Sequence, residues 1–385
     1  MLGQLRTRVC VCSRDNGAVS VFAIPAAVLA HAGRLAAALP VDVDIPELLT
    51  GRAALLGLPQ PGQVSAGGAS RLLRARDAWC ALTLSRPDDV AAVPALLEGD
   101  DVGTDPWPAI ADWLTNRDAD TAVARARLLG MPAAVLAETS PAQPDGTPLG
   151  PPAAPRTWAD LLVVELASMW AGPLCGRMLA GAGATVVKVE SPTRPDGTRG
   201  GSPEFFDWVN SGKHCVTLDF DNPGELRALL AAADVVIEGS RPAALARRGL
   251  GPDTIPARDG RVWVRITGYG TTGERAEWVA FGDDAAVAGG LVGGTGDAPH
   301  FLGDAIADPL TGLTAAHAVF EALRRGGGEL LAVSMAGVAA SYAALPDEGT
   351  VDVTPHRPAP RAPASGLGAD NAAVRRLLES RSAPC

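Results

Sequence analysis

The stretch that decides the fold of this chain is residues 158–220, WADLLVVELASMWAGPLCGRMLAGAGATVVKVESPTRPDGTRGGSPEFFDWVNSGKHCVTLDF. An apolar run at 161–166 predicts a buried strand, and a turn at 171–173 leads into a helix rich in small residues. A second apolar run follows at 185–189 and ends at Glu190. The stretch therefore predicts a strand, a helix and a second strand, which is the repeating unit of parallel sheets.

The same alternation continues to residue 345. Further apolar runs of strand length predict a set of five strands at 161–166, 185–189, 234–238, 262–267 and 330–334. Helices are predicted between them at 173–182, 224–232 and 305–324. We therefore expect an α/β fold with an open, doubly wound, mostly parallel sheet and a smaller α+β domain, and ligands at the carboxyl ends of the strands.

Two proline-rich stretches divide the chain. Residues 139–156 contain six prolines and no periodicity, and they predict an extended linker. The sequence then predicts five regions, which are an unassigned N-terminal region 1–60, a small α+β domain 61–138, the linker 139–156, an α/β domain 157–345 and a proline-rich segment with a C-terminal helix 346–385. The small domain is predicted to contain a strand at 79–84 and helices at 87–97, 106–115 and 119–129.

Composition excludes several classes of protein. The net charge of −10, from 33 basic and 43 acidic residues, makes a nucleic-acid backbone a poor partner. No apolar run is long enough for a membrane helix and no signal-peptide pattern is present, so we expect a cytoplasmic protein without membrane contact. The six cysteines are too scattered for a metal site and are interpreted as reduced structural thiols, at positions 10, 12, 80, 175, 215 and 385.

The strand–helix–strand pattern with Ala-Gly-Pro in its first turn resembles the opening of the family III CoA-transferases, the CaiB/BaiF family. The resemblance implies an enzyme that moves coenzyme A from an acyl-CoA donor to a free carboxylic acid and works as a homodimer. Coenzyme A is then a co-substrate, and no metal is needed. In this family the small domain is inserted in the later half of the chain, whereas residues 61–138 come first here, so we predict that the domain has moved to the N-terminus.

The family's catalytic turn has an Asp near a Gly at the start of a long helix, and residues 305–312 resemble it. By that resemblance Asp308 is the nucleophile, and a carboxylate can be acylated and then converted to a thioester. The residues alone leave a second interpretation open, because an Asp before Pro309 also suits the N-cap of a helix. Asp304 is the rival nucleophile, although its spacing to Gly312 does not match the family turn.

The resemblance also implies the binding residues. A flexible loop would offer backbone N–H groups to the acyl oxygen, and the glycine-rich run that resembles it contains Gly289, Gly290, Gly293 and Gly294. Three residues of the first turn would line the coenzyme A channel, namely Met169, Trp170 and Ala171. Cations are needed for the phosphates of coenzyme A, and the candidates at matching positions are Arg199, Lys213 and Arg247.

Two departures from the family pattern keep alternatives open. Ser191 stands where an Arg is usual and Gly239 where an Asn is usual, so a catalytically inactive coenzyme A-binding homologue is one alternative. The other is an enzyme similar to the α-methylacyl-CoA racemases, which need two bases. Those racemases carry a His where this chain has the pair Asp283-Asp284, so Asp283 would have to replace that base.

Overall fold

The computed structural model describes residues 21–99 and 102–382. Its strands, in chain order, are β1 (Phe22–Pro25), β2 (Ser70–Arg74), β3 (Trp79–Thr83), β4 (Ala133–Val135), β5 (Asp145–Pro148), β6 (Leu162–Leu166), β7 (Thr185–Glu190), β8 (His214–Thr217), β9 (Val235–Glu238), β10 (Val262–Thr267), β11 (Val292–Thr295), β12 (Ala298–Phe301), β13 (Glu329–Ser334) and β14 (Thr350–Val353).

The helices lie between these strands. In chain order they are α1 (Ala26–Ala37), α2 (Ile45–Leu56), α3 (Pro87–Ala91), α4 (Val93–Leu97), α5 (Trp107–Thr115), α6 (Ala119–Leu128), α7 (Ala171–Gly181), α8 (Pro203–Asn210), α9 (Gly224–Ala232), α10 (Pro242–Ala246), α11 (Gly282–Ala288), α12 (Ala307–Arg324), α13 (Met335–Ala343) and α14 (Asn371–Ser382).

A seven-stranded sheet forms the centre, in the order β5-β13-β10-β9-β6-β7-β8. Six strands are parallel, and only β5 pairs antiparallel, with β13. Successive residues of β6 face opposite sides, so Val163 joins the core under α7 and α12 while Val164 joins the core under α9 and α14. Burial on both faces explains why the strands are continuous apolar runs. The predicted α/β fold with an open, mostly parallel sheet is confirmed.

All five predicted strands of the α/β region are present, each within one residue of its predicted bounds. Two strands of the sheet were not predicted. The first is β8, whose four residues are too few for a clear pattern. The second is β5, which lies inside the proline-rich stretch 139–156 and is exposed at the sheet edge, where Pro148 is tolerated. This stretch therefore supplies an edge strand within the predicted linker.

The C-terminal segment closes the other edge of the sheet. The N–H of Asp370 donates to Cys215 O at 3.1 Å, and the Asp370 carboxylate accepts from Cys215 N at 2.8 Å. The Asn371 side chain accepts from Thr217 N at 3.0 Å and donates to Thr217 O at 2.9 Å. Two side chains thus pair with the backbone of β8 as another strand would, which hides an edge that could otherwise associate.

The region before the sheet packs on it at two places. Strands β2, β3 and β4 form an antiparallel sheet that encloses a small core with α4, α5 and α6. The other face of this sheet contacts α11 through Leu72 and Ala81, which pack with Val287. Nearer the N-terminus, β1 pairs with β14, and α1 and α2 pack on the main core. Both halves of the chain therefore meet around α11.

The cysteines that the structure describes are buried free thiols at Cys80, Cys175 and Cys215. Cys10, Cys12 and Cys385 lie outside the described residues. Across residues 21–99 and 102–382, no cluster of His, Cys, Asp and Glu could hold a metal ion. Within the same ranges, no helix is both long and apolar enough to cross a membrane.

Candidate active site

Asp308 lies in the first turn of α12, at the carboxyl-terminal side of the sheet. The N-cap of α12 is Ile306, and no side chain caps this helix end. The expectation that Asp308 occupies the N-cap is therefore wrong, and its carboxylate is free to point elsewhere. Asp308 Oδ2 accepts a hydrogen bond of 3.1 Å from the N–H of Gly282, the first residue of α11.

Glycines allow this close approach. A Cβ at position 282 would lie only 2.4 Å from Asp308 Oδ2 and 2.3 Å from Ala305 O, so a larger residue would displace the carboxylate. Further along α12, a Cβ at Gly312 would lie 2.8 Å from Ala171 O, which shows how closely α12 packs against α7. Gly312, the residue that carried the family resemblance, therefore has a packing role beside the start of α7.

Burial controls the charge of Asp308. Removal from water, together with the charge of the neighbouring Asp283, raises its pKa to about 7. Arg52 and the backbone N–H groups of Ala171 and Gly282 act in the opposite direction, because each stabilises the ionised carboxylate. The balance leaves a carboxyl group that changes its charge near neutral pH, which suits a residue that must act both as a nucleophile and as an acyl carrier.

Three other buried carboxyl groups surround this position, and we call Asp283, Asp284, Asp304 and Asp308 the acidic cluster. Burial raises the pKa of Asp304 to about 6 and that of Asp284 to about 8, and it also raises the pKa of Asp283. One carboxyl oxygen of Asp284 and one of Asp304 are buried without a hydrogen-bond partner among the described residues. The charge of Asp283 further disfavours ionisation of Asp284, Asp304 and Asp308.

The small antiparallel sheet supplies hydroxyl groups to this cluster. Ser70 Oγ on β2 donates to Asp283 Oδ2 at 2.9 Å, and Thr83 Oγ1 on β3 donates to Asp284 Oδ1 at 3.2 Å. The two hydroxyls are themselves 2.9 Å apart. Asp283 Oδ1 accepts the N–H of Ala305 at 3.1 Å. Ser70 and Thr83 lie more than 200 positions before Asp283 and Asp284 in the sequence, so only the folded structure brings them together.

Arg52 on α2 reaches the cluster from the N-terminal region. Its Nη1 lies 2.5 Å from Asp304 Oδ1, and its guanidinium lies 5.5 Å from the centre of the Trp170 ring and 5.6 Å from that of Phe205. Asp44 caps α2 by accepting from Glu47 N at 2.8 Å, which fixes the start of the helix that carries Arg52. Sequence reasoning missed Arg52, because residues 1–60 offered no pattern that connected them to the site.

The structure places the residues predicted to bind coenzyme A in different environments. Trp170 and Ala171 are buried, and the N–H of Ala171 bonds Asp308, whereas Met169 is 40 % exposed and has a φ of 72°, unusual for a residue with a Cβ. Arg247 is exposed at the end of α10. Arg199 forms a bidentate ion pair with Glu190, its Nη2 lying 2.6 Å from Glu190 Oε2.

Lys213 is fully buried and belongs to a group of paired charges. We call Glu165, Lys188, Asp196 and Lys213 the paired network. Glu165 lies 2.8 Å from Lys213 Nζ and 3.2 Å from Lys188 Nζ, and Asp196 lies 2.8 Å from Lys188 Nζ. The charge of Lys213 is thus already neutralised inside the protein. A phosphate of coenzyme A would reach Lys213 only if this network opened.

The paired network holds the turn between β6 and α7. Lys188 Nζ donates to Ala167 O at 2.9 Å, Lys213 Nζ donates to Pro173 O at 2.7 Å, and the N–H of Met169 donates to Asp196 at 3.2 Å. These three bonds fix the backbone on both sides of Ala171, whose N–H acts on Asp308. The sequence stretch that decides the fold therefore also positions the candidate nucleophile.

The glycine-rich run is split between a helix end and a hairpin. Gly289 and Gly290 end α11, where their N–H groups donate to Ala285 O and Val287 O. Gly293 and Gly294 lie in β11, paired with His300 and Pro299 of β12. The N–H groups of Gly289 and Gly290 are thus already used, so an oxyanion role for them would require the end of α11 to rearrange.

The comparisons with known proteins match the part of the chain that contains Asp308. The family model of CoA-transferase family III matches residues 158–365. This match covers more than half of the chain, and it includes α7, α11 and α12, which together enclose Asp308. The chain therefore belongs to CoA-transferase family III, and the resemblance seen in the sequence is confirmed.

Curated relatives match the same region. The succinyl-CoA–D-citramalate CoA-transferase of Chloroflexus aurantiacus is 31% identical over 199 residues, covering 47% of this chain and 50% of that protein. The succinate–glutarate CoA-transferase of Agrobacterium fabrum is 32% identical over 200 residues, covering 46% and 50%. Among solved structures, a CAIB/BAIF family protein from Brucella suis is 33% identical with a TM-score of 0.45, covering 50% and 56%. This chain thus spans about half the length of the curated relatives it matches.

Proposed function

We propose that this protein transfers coenzyme A from an acyl-CoA donor to a carboxylic acid, and that Asp308 forms the covalent intermediates. The observation that carries the proposal is the position of Asp308, a buried carboxyl group with a pKa near 7 at the start of α12. Membership of CoA-transferase family III supports the reaction class. The sequence resemblance implies the same residue as the nucleophile.

The proposed reaction begins with attack by the Asp308 carboxylate on the thioester carbonyl of the donor. The C–S bond breaks, coenzyme A leaves as a thiolate, and a mixed anhydride forms. The thiolate then attacks the Asp308 carbonyl of this anhydride, releasing the donor acid and leaving Asp308 as a thioester. The acceptor carboxylate repeats the sequence in reverse, which returns Asp308 to its free carboxylate and yields the new acyl-CoA.

Charge develops on an Asp308 oxygen whenever the thiolate adds to its carbonyl carbon. The N–H of Gly282 already donates to Asp308 Oδ2 at 3.1 Å, and that of Ala171 stabilises the same carboxylate. Backbone donors that are fixed before the reaction stabilise such an oxyanion without reorganising. Trp170 is buried directly before Ala171 in the chain, and we propose Met169, Trp170 and Ala171 as part of the coenzyme A channel.

The cations for the phosphates of coenzyme A are part of the same proposal. Arg199 and Arg247 lie at least partly in contact with solvent, so they are proposed as phosphate partners. Lys213 is proposed only for a state in which the paired network has opened. Gly293 and Gly294 remain proposed for the loop that covers the acyl group, and Gly289 and Gly290 only with rearrangement of α11.

Two further statements belong to this proposal. The small domain 61–138 and the α/β domain 157–345 are proposed as separate folding units whose contact completes the site, and the bonds from Ser70 and Thr83 to the acidic cluster support this. Limited proteolysis should then release a stable fragment that contains 157–345. We also propose a homodimer, which light scattering of the purified protein would test.

A covalent test decides the main proposal. The protein is incubated with acyl-CoA donors, the intermediate is trapped with hydroxylamine or borohydride, and the modified residue is located by mass spectrometry. Modification at Asp308 is expected, and Asp308→Ala should abolish it. Modification at another residue, or full activity of Asp308→Ala, would contradict the assignment. A protein that binds coenzyme A but never becomes modified would be the inactive homologue.

One observation favours a second candidate, a racemase acting on 2-methylacyl-CoA. Asp283 is a second buried carboxyl group with a raised pKa that acts on Asp308, as a two-base mechanism needs. However, both Asp283 oxygens already accept hydrogen bonds, from Ser70 and Ala305, so we rank this candidate second. Exchange of the α-proton in deuterated water, without any acceptor acid, would support the racemase.

A further inference from the structure

The acidic cluster faces a cation that comes from outside the region matched by the family model. Four carboxyl groups lie together, and Arg52 on α2 is bonded to one of them, Asp304, at 2.5 Å. The family match begins at residue 158, so α2 lies outside the matched region. A positive charge this close to the carboxyl groups lowers the free energy of their ionised forms.

Arg52 is held in this position by aromatic rings. Its guanidinium lies over the faces of Trp170 and Phe205, and its side chain keeps 25 % exposure. Stacking leaves the planar guanidinium few orientations, so its charge stays directed at the cluster. Trp170 precedes Ala171, whose N–H acts on Asp308, so Arg52 and Asp308 approach the same turn from different elements.

The groups that face Asp308 come from each element packed against it. Helix α11 contributes Asp283 and the N–H of Gly282, α2 contributes Arg52, and α7 contributes the N–H of Ala171. Asp283 in turn raises the pKa of Asp284 and of Asp304. Arg86 also acts on Asp284, but its guanidinium is bonded to Asp89. Three of the four carboxyls, Asp283, Asp304 and Asp308, are stabilised in their ionised form by Arg52.

We propose that Arg52 is a positioning residue of this site, which holds Asp304 in place and supplies the positive charge that keeps Asp308 ionised for its attack on the thioester. This inference rests on the proposed function. It assigns a role in the site to the N-terminal region, which the sequence left unassigned. Loss of Arg52 removes the positive charge that opposes burial and the charge of Asp283, so ionisation of Asp308 requires a higher pH.

The test compares Arg52→Gln with a matched control, Arg177→Gln. Arg177 on α7 also stacks on an aromatic ring, 4.9 Å from the centre of Trp208, and also holds α2, through Glu47 at 3.3 Å. Among the described residues, the hydrogen bonds, ion pairs and ring contacts of Arg177 involve Glu47 and Trp208 and do not include the acidic cluster. If Arg52 acted only by anchoring α2, both variants would behave alike.

Two measurements follow Asp308 against pH. One is the yield of hydroxylamine-trapped acyl-enzyme, and the other is the carboxyl resonance of Asp308 in carbon-13-labelled protein, assigned by its loss in Asp308→Asn. Arg52→Gln should raise the midpoint of both curves by about one pH unit, while Arg52→Lys restores it and Arg177→Gln leaves it unchanged. An unchanged midpoint in Arg52→Gln, or an equal shift in Arg177→Gln, would overturn the inference.

The two proposals fail in different ways. Absence of any acyl-enzyme at Asp308 in the unaltered protein contradicts the proposed function, and the resonance of Asp308 still decides the role of Arg52. If Arg52→Gln does not fold because Asp304 is left buried and unpaired, Arg52→Gln/Asp304→Asn is compared with Asp304→Asn alone. The double variant should show the higher midpoint, and equal midpoints would refute the role.

Discussion

The paired network and the acidic cluster are both buried groups of four ionisable side chains, and both contact the turn before α7. The paired network joins two carboxylates to two lysines, whereas one cation, Arg52, acts on three of the four carboxyls of the acidic cluster. Burial alone would lower the pKa of Lys188, but Glu165 and Asp196 raise it to about 12. In the acidic cluster burial dominates, and every carboxyl pKa is raised.

This difference in charge balance separates buried charges that stabilise the fold from those that can take part in chemistry. Balanced charges stabilise one another and bind the backbone of the turn, so they stay ionised. Unbalanced carboxyls are costly to ionise, and a protein keeps such groups where they serve a function. Lys213 is the least well compensated charge of the paired network. Burial lowers its pKa to about 8, because it shares the single carboxylate of Glu165 with Lys188.

The largest expected effect separates the members of the acidic cluster. Asp308→Asn removes the nucleophile and should lower transferase activity roughly 10⁴-fold, as loss of a covalent catalyst does. Asp304→Asn should lower it by no more than about tenfold, because Asp304 contacts Arg52 and is not proposed to be acylated. Steady-state rates with one acyl-CoA donor and one acceptor acid compare them. An inverted order would make Asp304 the nucleophile.

Glu165→Gln tests whether the paired network is structural. It leaves Lys188 and Lys213 buried with less compensation and should lower the free energy of unfolding by about 3–5 kcal/mol, measured by urea denaturation. The matched control is Glu321→Gln, whose ion pair with Arg324 is exposed, and it should change stability by less than about 1 kcal/mol. Equal effects of the two substitutions would remove the distinction between the two kinds of pair.

The two groups should also differ in the sign of their pH dependence. Asp308 has a folded pKa near 7 against 3.8 when unfolded, so its ionisation destabilises the fold as pH rises between those values. Asp308→Asn should therefore be more stable than the unaltered protein at pH 8, by up to about 4 kcal/mol, and nearly equal to it at pH 4.

Asp196→Asn should show the opposite. Burial raises the pKa of Asp196 but Lys188 more than offsets this, so its folded pKa lies below the usual value. The stability it contributes is present above the unfolded pKa and is lost as pH falls through the folded one. Thermal unfolding of Asp308→Asn between pH 4 and pH 8, and of Asp196→Asn as the pH falls below about 4, gives the two slopes. Slopes of the same sign would contradict the comparison.

The smallest expected effect concerns the hydroxyls from the small sheet. Ser70→Ala removes the donor to Asp283 Oδ2 and should destabilise the protein by about 1–3 kcal/mol. Ser341→Ala serves as the control, since that hydroxyl bonds only backbone carbonyls on an exposed side of α13. Urea denaturation at pH 7 compares them, and a larger loss in Ser341→Ala would argue against a special role for Ser70.

The main sheet was predictable because its strands are buried on both faces. Continuous apolar runs such as 262–267 appear in the sequence for that reason, and all five predicted strands are present. The two that escaped prediction, β5 and β8, are edge strands with weak patterns. The path of residues 139–156 along the sheet edge depends on the backbone groups that β13 leaves free, which no local pattern records.

The sequence by itself determined the family, the parallel sheet and the candidate nucleophile Asp308, because these depend on local runs and short motifs. Only the tertiary structure decided that Arg52, Ser70 and Thr83 meet the acidic cluster, and that Lys213 is enclosed in the paired network. The physical reason is distance along the chain. Electrostatic and hydrogen-bond partners act through space, so residues 200 or more positions apart carry no common pattern until the chain folds.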